Sequence, residues 1–254
     1  MRWKLKNQMN NTISTIGMIG YGRFGSFFAD YILPIIFPKA TILISSKRLK
    51  DRRLASDKQV AQCDLIFPAV PIRTMPEVLK KIAPYIGANS IVMDVCSVKS
   101  MPAAWMRELL PETTSIISSH PMFGLSSYIN VQKDMSKLPL VMHPERIDQS
   151  TYQFIRDAFA SHVNVIEMSP EEHDKKAAQF QFLSHLLGGV LHQLDISRSE
   201  IDTQSGSRMF DMMDLLNSDS MELFEDMYTY NPYAKKELKK FDTSYVSIKN
   251  HLTS

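Results

Sequence analysis

Residues 16–25 read Ile16-Gly17-Met18-Ile19-Gly20-Tyr21-Gly22-Arg23-Phe24-Gly25, an apolar run passing into a Gly-x-Gly-x-x-Gly loop and then an amphipathic stretch. The spacing has a physical reading. Gly20 allows the tight turn, Gly22 lets backbone approach a pyrophosphate, and Gly25 permits close packing of a helix on a strand. The helix that follows offers unpaired N–H groups and the positive end of its dipole to phosphates. Tyr21, Arg23 and Phe24 complete the loop. The chain has 9 glycines in 254 residues, and Gly17, Gly20, Gly22 and Gly25 all fall here. That is about half the usual share of roughly 7%, so the cluster marks a place that needs unusual backbone geometry. Dinucleotide binding is the reading this supports; an incidental glycine turn is the plain alternative.

Outward from the loop, short apolar runs alternate with amphipathic ones. Strands are expected at Thr15–Ile19, Thr41–Ser45, Leu65–Val70, Ile91–Val95, Ser115–Ser118, Leu138–His143 and Val163–Glu167. Helices are expected at Arg23–Tyr31, Met75–Tyr85, Ala103–Leu110 and Ser150–Ala160. This alternation predicts an α/β fold with a doubly wound, mostly parallel (Rossmann-type) sheet. Pro68 is a blemish, because proline donates nothing to a central ladder. The pattern changes at Met168. Ser169-Pro170-Glu171-Glu172 reads as a helix start. Beyond it, Phe180, Leu183, Leu187, Val190, Leu191 and Leu194 form an apolar stripe at helical spacing. Glu222–Tyr230 and Ala234–Phe241 also read as helical. The expected division is a dinucleotide-binding domain over 1–167 and a smaller all-α substrate and dimerisation domain over 168–254.

The tip of the second strand normally selects the cofactor. An acid about 20 residues past the last glycine bonds the ribose 2′-hydroxyl of NAD. Here Ile44-Ser45-Ser46-Lys47-Arg48 carries hydroxyls and cations, with no acid until Asp51. Ser45, Ser46 and Arg48 therefore suit the 2′-phosphate of NADP, with NAD the alternative.

Composition removes several classes. Lys+Arg is 29 and Asp+Glu 27, so the formal charge is only +2, and no electrostatic case for nucleic acid exists. Cys63 and Cys96 are the only cysteines, too few for a disulfide framework. No run approaches the roughly 18 apolar residues of a membrane span. The basic N-terminus, MRWKLKNQMNNTIS, lacks the apolar core of a secretory signal. A cytoplasmic protein is expected. The 16 methionines read as adaptable core filler.

Asp94-Val95-Cys96-Ser97-Val98-Lys99 and Ser118-Ser119-His120-Pro121-Met122-Phe123-Gly124 each follow a buried run. In a doubly wound sheet both fall at the carboxyl edge, beside the cofactor. A histidine there can act as a base near neutral pH, and a serine on the neighbouring loop can orient it. A structural histidine at a strand end is equally common.

At these residues the chain resembles the prephenate/arogenate dehydrogenases of tyrosine biosynthesis. The resemblance is carried by GYGRFG, DVCSVK, SSHPMFG, EEHDKKAAQFQFLSHLLGG (Glu171–Gly189) and, more weakly, ELFEDMYTYNPYA (Glu222–Ala234), in the family's order over nearly the whole chain. It implies an oxidative decarboxylation. Hydride passes from the ring carbon bearing the 4-hydroxyl of a cyclohexadiene to a nicotinamide, carbon dioxide leaves the opposite carbon, and the ring becomes aromatic. His120 matches the histidine that accepts the hydroxyl proton, and Ser97 the serine that bonds that histidine or the substrate hydroxyl. His173 and His185 match two histidines of the substrate region. On an ideal helix with Gln181 at zero, His185 falls at about 40° and His192 at about 20°, away from the apolar stripe. Gln181 and His185 are therefore expected to face the cleft, with His173 off that face. No carboxylate accompanies these histidines at ligand spacing, so no metal is expected.

The chain also departs from the family. Gly189 follows Gly188 where many members have arginine. Asp214 stands near the place where prephenate-specific members have the arginine that binds a side-chain carboxylate. Arg208, six residues earlier, is the candidate substitute. Leu125 replaces the usual proline after HPMFG. Asp214 weakly favours the ammonium of arogenate over the second carboxylate of prephenate. The expected partners are a small-molecule substrate and a second copy of the chain, with no nucleic acid and no membrane. The competing readings are a catalytically silent NADP-binding regulatory protein and another small reductase of the same two-domain plan.

Overall fold

The computed structural model describes residues 12–194, 196–216 and 219–254, and the basic segment 1–11 lies outside them. The chain divides into two compact units. The first comprises residues up to Ser97 together with Pro102–Ser169; the second comprises Val98–Met101 and Pro170–Ser254. The four residues after Ser97 thus group with the second unit, an exchange that no composition shift in the sequence marks.

The first unit is built on a seven-stranded sheet of order β2-β1-β3-β4-β5-β6-β7. Its strands are β1 Thr15–Ile19, β2 Thr41–Ser45, β3 Leu65–Pro68, β4 Ile91–Met93, β5 Ser115–Pro121, β6 Pro139–Arg146 and β7 Asn164–Glu167. Strands β1 to β5 are parallel, β6 runs antiparallel to β5, and β7 is parallel to β6. The inner strands β3 and β4 are buried at every residue, which is why they read as continuous apolar runs. The edge strand β2 is only partly buried.

Three boundaries differ from the sequence pattern for local reasons. Pro68 is the last residue of β3, opposite Ile19, and the Ala69 N–H completes that edge by donating to the Ile19 carbonyl at 2.8 Å. Proline is tolerated there because the strand is ending. Strand β4 stops at Met93, short of the expected Val95. Strand β5 runs on to Pro121 because β6 pairs with it, setting His120 opposite Val141. His120 therefore stands in a strand, not in a loop beyond one.

The helix expected at Arg23–Tyr31 continues further: α1 Arg23–Phe27, a π-helical turn Phe28–Ile32 and α2 Leu33–Ile36. Pro34 lacks an N–H and would crowd the carbonyl four residues earlier. The wider turn just before it absorbs that crowding. Phe28 packs edge-on against Phe67 of β3, ring centroids 5.3 Å apart. Further along come α3 Asp57–Val60, α4 Met75–Ile82, α5 Ser100–Leu109, α6 Leu125–Asn130 and α7 Gln149–Ala160. Helix α3 was legible but unread: Ser56 and Gln59 form a capping box. Leu125, where the family has proline, is the first residue of α6, a position that suits proline's fixed φ.

The second unit holds α8 Pro170–Ala177, α9 Leu183–Gln193, α10 Gln204–Leu216, α11 Met221–Tyr230 and α12 Ala234–Thr253. A π-helical turn, Ala178–Phe182, joins α8 to α9. It shifts the phase of the 3.6-residue pattern. Ala178 and Phe182 are buried, whereas Phe180 is 72% and Leu194 62% exposed. The expected apolar stripe thus lies mostly at the surface of a single chain. No helix among the described residues is long and apolar enough to cross a membrane.

Candidate active site

The glycine loop leaves β1 at the carboxyl edge of the sheet. Gly20 has φ +99°, and a Cβ there would strike the Ala69 carbonyl. A Cβ on Gly25 would come within 2.7 Å of the Gly20 carbonyl. A Cβ on Gly22 would meet nothing within 4 Å. Two glycines are thus required by the fold, while the third faces open space. That is the cradle a pyrophosphate needs, so the loop fits a dinucleotide. Arg23 opens α1 and is exposed, and Phe24 stacks on Phe28 at 5.2 Å.

The end of β2 is one hydrogen bond away: the Gly20 N–H donates to the Ser45 carbonyl at 2.9 Å. Ser46 Oγ accepts the Arg48 N–H at 3.1 Å, and Arg48 is exposed. Ser45 Oγ donates to the Asp57 carboxylate, which pairs with Lys81. Burial pushes the Asp57 carboxyl up, but the bonds from Lys81 and Ser45 outweigh it and hold it below its usual value. The strand tip is therefore not free of carboxylates, as the spacing alone suggested; α3 folds one back onto it.

A second group near the loop was missed. The Arg53 guanidinium lies over the Tyr21 ring at 5.4 Å. It donates to the Tyr21 hydroxyl at 3.0 Å, to Asp30 at 2.5 Å and to Asp51 at 2.8 Å. Arg53 thus ties the loop after β2 to the glycine loop. Nothing in its sequence neighbourhood announces this, because the contact spans 32 residues.

Strands β4 and β5 pair through Met93 and Ile117, so Ser97 and His120 leave the same edge. His120 is buried and Ser97 half-buried. Asp94, fully buried, stands between the two stretches. Its Oδ1 accepts the Ser119 N–H at 3.0 Å and its Oδ2 the Cys96 N–H at 3.1 Å.

Within the second unit, Asp174 is the hub. It is fully buried and accepts the N–H groups of Lys99 at 2.7 Å and Ser100 at 2.8 Å. His173 Nδ1 lies 3.0 Å from its Oδ1, and the Asn231 side chain donates to its backbone carbonyl at 2.9 Å. Burial pushes the Asp174 carboxyl up, but the bonds from His173, Ser100 and Lys99 prevail and hold it below its usual value. His173 is buried in this cluster.

His185 Nδ1 donates to the Gln181 carbonyl at 2.8 Å, and its Nε2 lies 3.0 Å from Asp219 Oδ2. Gln181 Oε1 is buried with no hydrogen-bond partner among the described residues. His192 is exposed. The Asp214 side chain is 75% exposed, 3.7 Å from Arg198, and Arg208 is exposed on the same helix. Arg198 in turn lies over the Phe210 ring at 5.0 Å, which holds it near Asp214. Among the described residues no three His, Cys, Asp or Glu side chains converge as a metal-ligand set.

This fold, with its glycine cradle and polar strand ends, defines a Rossmann-type nucleotide-binding protein that carries a helical second unit. Comparison sharpens the class. Residues 44–136 match the family model "Prephenate dehydrogenase, nucleotide-binding domain", and residues 190–254 match "TYRAAT1-like, C-terminal domain". The chain is 29% identical over 252 residues to arogenate dehydrogenase 2, chloroplastic, of Arabidopsis thaliana, covering 93% of the chain and 69% of that relative. To arogenate dehydrogenase 1, chloroplastic, of the same plant it is 25% identical, covering 99% of the chain but only 42% of the relative. In fold it is similar to the crystal structure of prephenate dehydrogenase from A. aeolicus in complex with hydroxyphenyl propionate and NAD+, with TM-score 0.72 and 19% identity, covering 95% of this chain and 91% of that one. By this family model and these relatives the chain groups with the prephenate/arogenate dehydrogenases.

Proposed function

We propose that the chain is an NAD(P)-dependent dehydrogenase that oxidatively decarboxylates arogenate or prephenate. The observation that carries this reading is His120, buried at the carboxyl edge of β5 beside the stretch that bears Ser97, in the same unit as the glycine cradle. Gly20, Gly22 and Gly25, with the start of α1, would hold the cofactor's pyrophosphate. Bound nicotinamide would supply the acceptor for the hydride leaving the substrate's hydroxyl-bearing carbon. His120 takes the proton of that hydroxyl as the carbon is oxidised, and Ser97 orients the imidazole or the hydroxyl. The carboxylate on the opposite ring carbon departs as carbon dioxide, and its bonding pair restores the aromatic ring. Aromatisation drives the reaction, so the protein's contribution is positioning and proton acceptance. In the second unit, the unpartnered Gln181 Oε1 is an acceptor that a substrate hydroxyl or ammonium would satisfy, with His185 one turn away.

Three finer points belong to the same proposal. NADP is favoured over NAD because Ser46, Lys47 and Arg48 form an accessible cationic turn beyond β2, while Lys81 offsets Asp57. Arogenate is favoured over prephenate on the strength of the plant relatives' names; the Asp214 side chain is largely exposed on the single chain. A homodimer forms through the second unit. The reading is tested by following NADPH absorbance when arogenate or prephenate is added with NADP or NAD. Turnover of either substrate supports the activity. No turnover with any of the four pairs, by protein that binds the cofactor, refutes it.

A further inference from the structure

We propose that Asp94 is a positioning residue that sets Ser97 relative to His120. The proposal rests on the reading of those two residues just given. Ladder pairing cannot do this work. The β4–β5 register ends at Met93 and Ile117, while β5 continues to Pro121 paired only along its other edge, with β6. Past that point, residue 94 carries the connection. Its N–H reaches the Ile117 carbonyl at 3.4 Å, and its own carbonyl accepts from Ser119 Oγ. Its carboxylate takes the Ser119 N–H with one oxygen and the Cys96 N–H with the other. Ser119 immediately precedes His120, and Cys96 immediately precedes Ser97. One rigid side chain is thus bonded to the backbone next to each.

The chemistry of the group matches the task. Both partners are N–H donors, and an ionised carboxylate offers two acceptors and no donor. Burying a carboxylate is costly unless such bonds satisfy it, and charge-assisted bonds are the strong ones. Asparagine has nearly the same shape but one acceptor, so its amide would confront one of the two N–H groups. Asp94→Asn therefore breaks one arm of the clamp while leaving the core packing in place.

The test uses the full chain. Asp94→Asn is expected to lower kcat by about 10- to 100-fold, the scale of a catalytic group misplaced by about an ångström. Substrate KM and the NADPH Kd, read by fluorescence titration, should stay within about twofold, because Asp94 follows β4 and is not part of the glycine loop. Ser97→Ala should then cost distinctly less in the Asp94→Asn background than in the unmodified chain, since a residue acting through another is not additive with it. Unchanged kcat, additive losses, or a fall in kcat matched by a loss of NADPH affinity would each overturn the proposal. If Asp94→Asn does not fold, Ser119→Ala removes only the hydroxyl arm. It should lower kcat about threefold with NADPH affinity intact, and an unaltered kcat would count against the clamp. His120→Asn separates the two ideas. If that variant keeps full turnover, the assignment of the base falls. If it is inactive while Asp94→Asn is normal, only the clamp falls.

Discussion

The two units treat apolar residues in opposite ways. In the first, Ile16, Met18, Phe28, Ile32, Leu33, Leu65, Phe67 and Met93 are all fully buried between sheet and helices. In the second, Phe180, Leu187, Val190, Leu194, Ile201, Tyr245, Val246, Ile248 and Leu252 stay exposed, Ile201 at 85% and Leu252 at 77%. A sheet covered by helices on both faces closes its own core. A set of helices with no sheet to cover leaves apolar faces outward, and contiguous patches of that kind mark an interface. The first unit closes a core of its own; the second leaves a larger share of its apolar side chains exposed on the single chain, and the proposed homodimer would cover them.

The largest expected effect probes the first unit. His120→Asn should lower turnover by about 10²–10⁴-fold, the contribution of a positioned general base. NADPH affinity and oligomeric state should not change, because the histidine is not part of the glycine cradle and lies in the other unit from the apolar face. Loss of the dimer in that variant would break the division of labour drawn above.

Association comes next. The unmodified chain should run as a dimer at micromolar concentration by light scattering. Leu187→Glu with Leu194→Glu should weaken dimerisation by about 10²-fold or more, since each lost leucine contact is worth roughly 1.5–3 kcal/mol. A monomeric unmodified chain would show that the exposed stripe serves another purpose.

The glycines sharpen the contrast within the first unit. Gly20→Ala should lower Tm, because φ +99° and the Ala69 carbonyl leave no room for a methyl group. Gly22→Ala should leave Tm unchanged, since its Cβ meets nothing, yet weaken NADPH binding by about tenfold by filling the pyrophosphate cradle. Equal effects on Tm would undo the distinction between the two glycines.

A pH prediction concerns the second unit. The folded Asp174 carboxyl is held below its ordinary 3.8. Its stabilising contribution is therefore complete above that value and lost as pH falls through the lower folded one. Acid titration of stability should show this loss in the unmodified chain and not in Asp174→Asn, which should itself be less stable near neutrality by about 1–3 kcal/mol. Parallel curves would mean that the cluster around Lys99, Ser100 and His173 does not depend on the charge. The smallest effect is expected at the surface. Asp214→Arg should change the arogenate-to-prephenate ratio of kcat/KM by no more than about twofold, because an exposed charge is screened by water. A tenfold shift would place Asp214 at the substrate in the assembled protein.

Much of the first unit was legible. Strands β1 and β2 have the expected bounds, each an apolar run (Ile16–Ile19 and Ile42–Ile44) with a polar residue at one or both ends. Strand β5 ran past its apolar signal because pairing with β6 recruited the polar Ser119 and His120. Gln181 and His185 were placed on one face by an ideal rotation, and they do meet, though through a carbonyl at a π-helical turn that no periodicity predicts. The long apolar stripe was read correctly as a stripe, but its spacing carries no information on whether a single chain covers it.

The amino-acid sequence alone was enough for the glycine cradle, the α/β alternation, the change of pattern near Met168 and the motifs around Ser97 and His120. These are local, and each residue type answers a requirement set by its near neighbours. Only the tertiary structure brought Asp57 onto Ser45, Arg53 onto Tyr21, Asp94 between Cys96 and Ser119, and Asp174 onto Lys99 and Ser100. Except for the Asp94–Cys96 arm, each of these bonds joins groups at least 12 residues apart. A carboxylate's local bonds reach no more than about four residues along the chain, so a partner farther away is chosen by how the elements pack and leaves no periodic trace in the sequence.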